Sequence, residues 1–351
     1  MKFPLLSALG VTLLVAMAAR GQPAPSAPPA PAQCTVSPDG KTLTVKAKAT
    51  VADLDAACKA HASELTTIAF DWGNESIDSF APLAEVKGLK SLKTMSVRAS
   101  EKKPIDVTPL AGLTELEEVD FYGTHIKNVP ALVTLKKVKT LSFYMSDVDS
   151  IDCIKGMPNL QVLTLYGFGH TFKDYTPLLG LKKLRSLDIY MNHQATDALL
   201  APLAALTSLD TIQMANDGEV TTLAFLKGCK DMETIGASWC HKLKDISAMQ
   251  AMDQLENLSL DDTAITDIAP LAGRIYLRSL NISGTKVSDL MPLQKCRILE
   301  TLNIAKTPVT DVIPLLKCRK LTRLQVSGSV PQAQIDQLKE ALPRLVVDVQ
   351  K

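Results

Sequence analysis

From Leu65 to the carboxyl end, one arrangement of apolar residues recurs: an apolar residue, two others, a second apolar, one other, a third. It reads Leu255-x-x-Leu258-x-Leu260, Leu277-x-x-Leu280-x-Ile282 and Leu299-x-x-Leu302-x-Ile304 in its clearest copies. Other copies start at Leu65, Leu92, Leu116, Val138, Leu160, Leu184, Leu209, Met232 and Leu321, mostly 22 to 25 residues apart after a longer first gap. The alternating part of each copy predicts a short strand with one buried and one exposed side. A Thr or Ser follows (Thr124, Ser146, Thr263, Thr285, Thr307) whose hydroxyl suits a turn. Then comes an Asp placed to cap a short helical turn (Asp106, Asp174, Asp245, Asp267, Asp289, Asp311), and in most copies a Pro, which suits a first turn because no amide donor is needed there. One such unit cannot bury its apolar side, so the units have to stack into a solenoid.

These residues resemble leucine-rich repeats of the short class found in bacterial internalin-type proteins, over about Leu65 to Val349. The resemblance implies an α/β fold: a curved leucine-rich repeat solenoid with parallel strands on the concave face and short 3-10 or α turns on the convex face. It also implies molecular recognition rather than a reaction. Two departures stand out. The ladder Asn of such repeats is mostly Thr or Ser here, and Arg274 stands where other copies carry Leu, Cys or Met, which predicts a local distortion.

Charge narrows the partners. With 38 Lys and Arg against 37 Asp and Glu, the chain lacks the basic excess that nucleic acid would require. The sequence carries no Gly-rich phosphate loop, no serine nucleophile motif and no Cys-x-x-Cys pair, so neither an enzyme nor a cofactor or metal is expected. His170, His193 and His241 follow the strands of three repeats without a carboxylate or Cys cluster to complete a metal site.

The ends read differently. Residues 1–21 form a lysine-led apolar stretch ending in Ala16-Met17-Ala18 or Ala19-Arg20-Gly21, a secretory leader rather than a span, because Pro4, Ser7 and Gly10 interrupt it. The chain is therefore expected to be exported, to the periplasm, cell surface or exterior, with no membrane span in the mature form. Residues 22–33 are little but Pro, Ala and Ser, a polyproline-type tether. An amino-terminal cap is expected over 34–64, with a hairpin around Ser37-Pro38-Asp39-Gly40 and a helix over Asp53 to His61. Repeats would fill 65–329, and a closing helix and strand 330–351, on the spacing of Ile335, Leu338 and Leu342 and then Leu345, Val347 and Val349. Cys34 and Cys58, the two cysteines that precede the repeats, are expected to bond. Cys229, Cys296 and Cys318 sit at buried repeat positions and read as small hydrophobes.

One column carries the functional expectation. The residue after the last buried strand position is Tyr122, Tyr144, Tyr166 and Tyr190 in four successive repeats, with Met145, Phe168 and Met191 beside it. Trp72 and Trp239 lie one residue further on in their own repeats. Rows of aromatics serve protein hot spots and sugar platforms, although stacked rings also stabilise neighbouring strands. The expected site is this tyrosine column with Trp239, and with Arg98, Asp120 and Asp188 adding polar specificity. The function read from it is a non-enzymatic module that grips a protein partner on the concave face. The alternative is a structural or glycan-binding component of the envelope.

Overall fold

The computed structural model describes residues 33–97, 103–146, 148, 150–167, 174–216 and 218–350. The expected leader and nearly all of the expected tether lie outside these residues. The chain begins with strands β1 (Cys34–Val36) and β2 (Thr42–Val45), an antiparallel hairpin, followed by helix α1 (Val51–His61). The helix starts two residues before the expected Asp53 because Thr50 caps it. Thr50 Oγ1 accepts from the Asp53 amide, and Asp53 accepts from the Thr50 amide at 2.9 Å, a reciprocal capping box.

Parallel strands then follow, one per repeat in the main sheet and two more outside it. They are β3 (Thr67–Phe70), β4 (Ser91–Met95), β5 (Ile105–Asp106), β6 (Glu118–Tyr122), β7 (Ile126–Lys127), β8 (Thr140–Ser142) and β9 (Val162–Thr164). After these come β10 (Ser186–Asp188), α2 (Asp197–Leu200), β11 (Thr211–Gln213), β12 (Thr234–Gly236), β13 (Asn257–Ser259) and β14 (Ser279–Asn281). The chain closes with β15 (Thr301–Ile304), β16 (Arg323–Ser327), α3 (Gln332–Ala341) and β17 (Val346–Gln350). All but β5 and β7 join one sheet in chain order, while β5 and β7 pair on their own behind it. This is a leucine-rich repeat solenoid.

The register is what makes columns. Leu92, Val119, Leu141, Leu163, Leu187, Ile212, Ile235, Leu258, Leu280, Leu302 and Leu324 are Cα partners in turn, and each is buried. One continuous apolar core therefore runs the length of the stack. Opposite the sheet, 3-10 turns close each unit. In all six expected repeats the Asp carboxylate accepts the amide two residues on, at 2.7–2.9 Å, satisfying a donor that the short turn leaves open.

After each strand most repeats turn through a left-handed residue at one register position. Gly123 and Gly284 take it without cost, whereas Ser96, Met145, Met191, Asn216, Trp239, Asp262 and Lys306 take it with φ of 53–65°. The next residue is the buried ladder position. There Thr263, Thr285 and Thr307 donate to the carbonyls of Leu260, Ile282 and Ile304 at 2.6–2.7 Å, and Ser146 donates to Phe121 across one repeat. A hydroxyl thus does within the turn what an Asn amide does between repeats. Asn74 keeps the latter role in the first repeat, donating to Lys46 and Ala49 and accepting from Ser76 and Ile77. Cys240 stands at the ladder position too, its thiol donating to the Met214 carbonyl at 3.3 Å. Cys229, Cys296 and Cys318 are buried, as expected of small hydrophobes.

The junction at Arg274 is distorted. The preceding 3-10 turn shortens to Ala269–Leu271, Gly273 flips to φ 85°, and the guanidinium turns outward to Asp253 at 2.7 Å. Its Nε is buried without a hydrogen-bond partner. At the carboxyl end, α3 buries Ile335 and Leu338, and β17 pairs with β16 over five residues. Val347 is half-buried, but Val349, expected on the inner side, is 43% exposed because no further layer covers the last strand.

Candidate functional site

The outward side of each strand presents three columns in register. The middle one runs Lys93, Asp120, Ser142, Thr164, Asp188, Gln213, Gly236, Ser259, Asn281, Asn303 and Gln325. Two residues further along each strand comes the aromatic column. Met95 pairs with Tyr122 in β4 and β6, and Tyr144, Tyr166 and Tyr190 continue it beyond the ends of β8, β9 and β10.

The four tyrosine rings form a ladder. Tyr122 stacks on Tyr144 with centroids 4.7 Å apart, Tyr144 on Tyr166 at 4.2 Å and Tyr166 on Tyr190 at 5.0 Å, with interplanar angles of 10°, 12° and 23°. The spacing is the strand spacing of a β-sheet, about 4.8 Å, handed directly to the rings. Trp72 extends the ladder from two strands away, meeting Tyr122 at 5.5 Å over the intervening strand of Met95. A second, buried stack of Phe121 on Phe143, at 6.0 Å and 5°, lies on the core side of the same two repeats. Stacking leaves each tyrosine half-buried rather than fully exposed. What faces solvent is therefore a row of ring edges and hydroxyls. Burial pushes the Tyr144 phenol up to about 12, helped by its neighbour Tyr166 and its hydrogen bond to it, so this hydroxyl stays neutral at any ordinary pH.

Below the rings sit the two expected carboxylates. Asp120 accepts from the Tyr122 amide at 3.1 Å and Asp188 from the Tyr190 amide at 3.0 Å, so each side chain locks the backbone that carries its ring. Burial raises both carboxyls above the usual range, opposed at Asp188 by that amide alone and at Asp120 also by Ser142 and Lys93.

Trp239, 49% exposed, lies two strands beyond the last tyrosine and is brought to the same side of the stack but not into the ladder. Arg98 and Phe168 lie outside the described residues, as does His170. His193 and His241 are exposed, and each rests its Nδ1 against a carbonyl of the next repeat, Asn216 at 3.1 Å and Asp262 at 2.9 Å, which is a structural use. Among the described residues no cluster of His, Cys, Asp or Glu is arranged to hold a metal. Met95, 41% exposed, fills the column between Trp72 and Tyr122, a member that the run of tyrosines alone did not single out. Its position two residues after Lys93 was the signal that could have found it.

No family model matches the sequence, and no curated protein does. Solved structures do match in fold. An internalin (InlF) of Listeria monocytogenes, 20% identical, aligns over 89% of this chain and 86% of its own with a TM-score of 0.69. A leucine-rich repeat protein of Leptospira interrogans, 15% identical, aligns over 86% of this chain and 81% of its own at 0.64. A plant peptide hormone receptor, RGFR1, solved in complex with RGF2, is 16% identical and aligns over 82% of this chain and 52% of its own at 0.54. At these identities the likeness is one of fold: the chain has the leucine-rich repeat architecture of internalin-type proteins.

Proposed function

We propose that the strand face is a recognition surface for a protein partner, centred on Tyr122, Tyr144, Tyr166 and Tyr190. Trp239, Asp120, Asp188 and Arg98 supply the surrounding contacts. The observation that carries this reading is the ring ladder. Each interior ring spends both faces on its neighbours, so a sugar finds no free face to stack on along the row. A protein instead meets a rigid strip of edges and hydroxyls that costs little entropy to hold still, the property that makes tyrosine useful in paratopes. A purely structural role would not call for the cluster of rings in four successive repeats, since the later repeats hold the same column with Ala215, Ser238, Asp261, Ser283, Ala305 and Ser327. The plant receptor solved with RGF2 is a case of this fold holding a peptide.

The reading is tested by affinity capture from envelope or host extracts with the wild type and with a variant carrying Tyr→Ser at positions 122, 144, 166 and 190. The variant is first checked for an unchanged melting curve. Capture of one protein by the wild type, and at least about tenfold less of it by the variant, is the expected result for a hot-spot cluster. Equal recovery by both forms would show the ladder to be structural.

In the same reading, residues 1–21 deliver the chain across a membrane, 22–33 tether the repeats, and the outer ends at 34–64 and 330–351 cap them. Cys34 lies on β1 and Cys58 on α1, close enough that a charge on Cys34 raises the Cys58 thiol. Burial pushes these thiols to about 11 and about 12, so both are protonated at neutral pH and oxidise slowly without a catalyst. In an oxidising compartment they are proposed to join, closing a loop worth about 3 kcal/mol. Protein isolated from that compartment, unfolded without reductant, should take up no thiol label at either residue. Labelling of both would refute the pairing.

A further inference from the structure

The edge of the solenoid where each 3-10 turn passes into its strand carries a pattern of its own. Two solvent-facing residues lie there between buried ones, as Thr114-Glu115, Lys136-Lys137 and Lys182-Lys183 do. Ile275-Tyr276 is the one such pair in the repeats with both members apolar, and they are 53% and 44% exposed. One strand on, Ile298 is half-buried beside them. The distortion at Arg274 bends the backbone there but does not call for apolar side chains at two positions that face water.

Charge is sorted on either side of this patch. Tyr276 stands three residues before β14. Two strands away in each direction, the same position holds Asp231, before β12, and Lys320, before β16. Strand spacing puts each roughly 10 Å from Tyr276. Glu233 follows the first closely in the chain and Arg319 precedes the second. Elsewhere along this edge cations are matched within the chain: Lys137 with Glu115 at 2.7 Å, Lys183 with Asn159 at 2.7 Å and Arg278 with Glu300 at 3.0 Å. Among the described residues the side chains of Asp231, Glu233, Arg319 and Lys320 have no hydrogen bond or ion pair. Arg319 and Lys320, with Arg344, border a cleft of about 850 Å³ whose one carboxylate, Glu300, is already held by Arg278.

We propose that this edge is the contact surface for a second copy of the chain, related by a two-fold axis through Tyr276. Such an axis reverses both the order of the strands and the direction along them. It sets Tyr276 against Tyr276, Lys320 against Asp231 and Arg319 towards Glu233, the charged pairs each occurring twice. Lys230, the cation beside Asp231, falls opposite the neutral Thr322. The sorted charges fix the register of the pairing, and the apolar centre supplies contact that excludes water. A strip this narrow buries little area, so the dimer is a weak one, with a Kd of about 1–100 µM. The tyrosine ladder lies in earlier repeats, on the sheet face, and takes no part, so this inference does not rest on the recognition reading above.

Sedimentation equilibrium of the purified protein at low salt, up to about 300 µM, checks it. The expected result is a monomer–dimer equilibrium. Asp231→Lys with Glu233→Lys, and separately Arg319→Glu with Lys320→Glu, should each weaken the dimer at least about tenfold, because like charges then meet. All four changes in one chain should restore the affinity to within about threefold, as should an equimolar mixture of the two double variants. Tyr276→Ser should weaken the dimer by about tenfold with no change of charge. All five side chains are exposed, so the melting curve of the monomer should stay in place. A dimer that the double variants leave unmoved, or a fourfold variant as weak as the doubles, would overturn the proposal. A protein that stays monomeric throughout would overturn it too, and would leave the patch to a partner of another sequence.

Discussion

Cut after Ser329, the protein should aggregate on expression or melt roughly 10–20 °C below the full chain. The segment removed carries α3 and β17, and with them Ile335, Leu338, Leu342 and Leu345, all buried against the last repeat. Side chains of this kind contribute about 1.5–3 kcal/mol each on burial, an upper figure because the denatured chain hides some of the same surface. The cut also strips β16 of its partner along Arg323–Ser327 and leaves Leu324 and Val326 under a bare edge. A long parallel sheet ending in unpaired amides and carbonyls invites a second chain to add to it. With the segment present, β16 is covered by β17 and by a helix whose Gln334 accepts the Val312 amide at 2.8 Å. Differential scanning calorimetry with light scattering checks the expectation. A truncated chain that stays monomeric and melts with the parent would mean that the last layer needs no cover.

A single methyl group at one glycine should cost about 1–3 kcal/mol, and the same methyl one repeat later should cost nothing. Gly156 and Gly180 both end a 3-10 turn, at Asp152–Gly156 and Thr176–Gly180. A Cβ on Gly156 would lie 1.9 Å from the Val133 carbonyl oxygen and 2.8 Å from its carbon, contacts with backbone that no rotamer change relieves. That carbonyl belongs to the preceding 3-10 turn, Val129–Thr134, which has one residue more than Asp152–Gly156. A Cβ on Gly180 would have nothing within 4 Å. Gly180→Ala should then be neutral or stabilise by about 0.4–1 kcal/mol, through a less flexible unfolded chain. Urea midpoints measured side by side decide the matter, and a reversed order would contradict the packing described.

The stack was legible in the sequence because its causes are local and repeated. Leu-x-x-Leu-x-Leu fixes which strand side is buried, and a strand that slipped by one residue would expose its whole apolar set. The Asp caps were legible for the same reason: a carboxylate two residues before an open amide has one obvious use. What stayed hidden depends on neighbours. Nothing in the letters Met145, Met191 and Trp239 announces a left-handed turn, since the usual markers are Gly and Asn; the demand comes from the repeat, not the residue. The helix α2 at Asp197–Leu200 was hidden as well. Thr196 caps it at 3.2 Å while Asp197 reaches across to the Thr221 amide at 2.8 Å, a contact between residues 24 apart. The tyrosine column could be read, but not its mode of packing. Alternation says that four rings point one way; only the strand spacing decides that they lie face to face.

Arg274 has a consequence for how the molecule comes apart. A solenoid is a row of interfaces, and its stability is close to the sum of terms between nearest neighbours. At this one interface a guanidinium stands in for a leucine, its Nε lacks a partner, and the ion pair that draws it outward lies with a largely exposed Asp253. The row therefore has a perforation, like a sheet of stamps. The repeats that carry the ring ladder lie on one side of it, and β14 to β17 form a short strip on the other. Heat or denaturant should loosen the strip first, and the repeats that carry the ring ladder should keep their shape after the tail of the stack has let go.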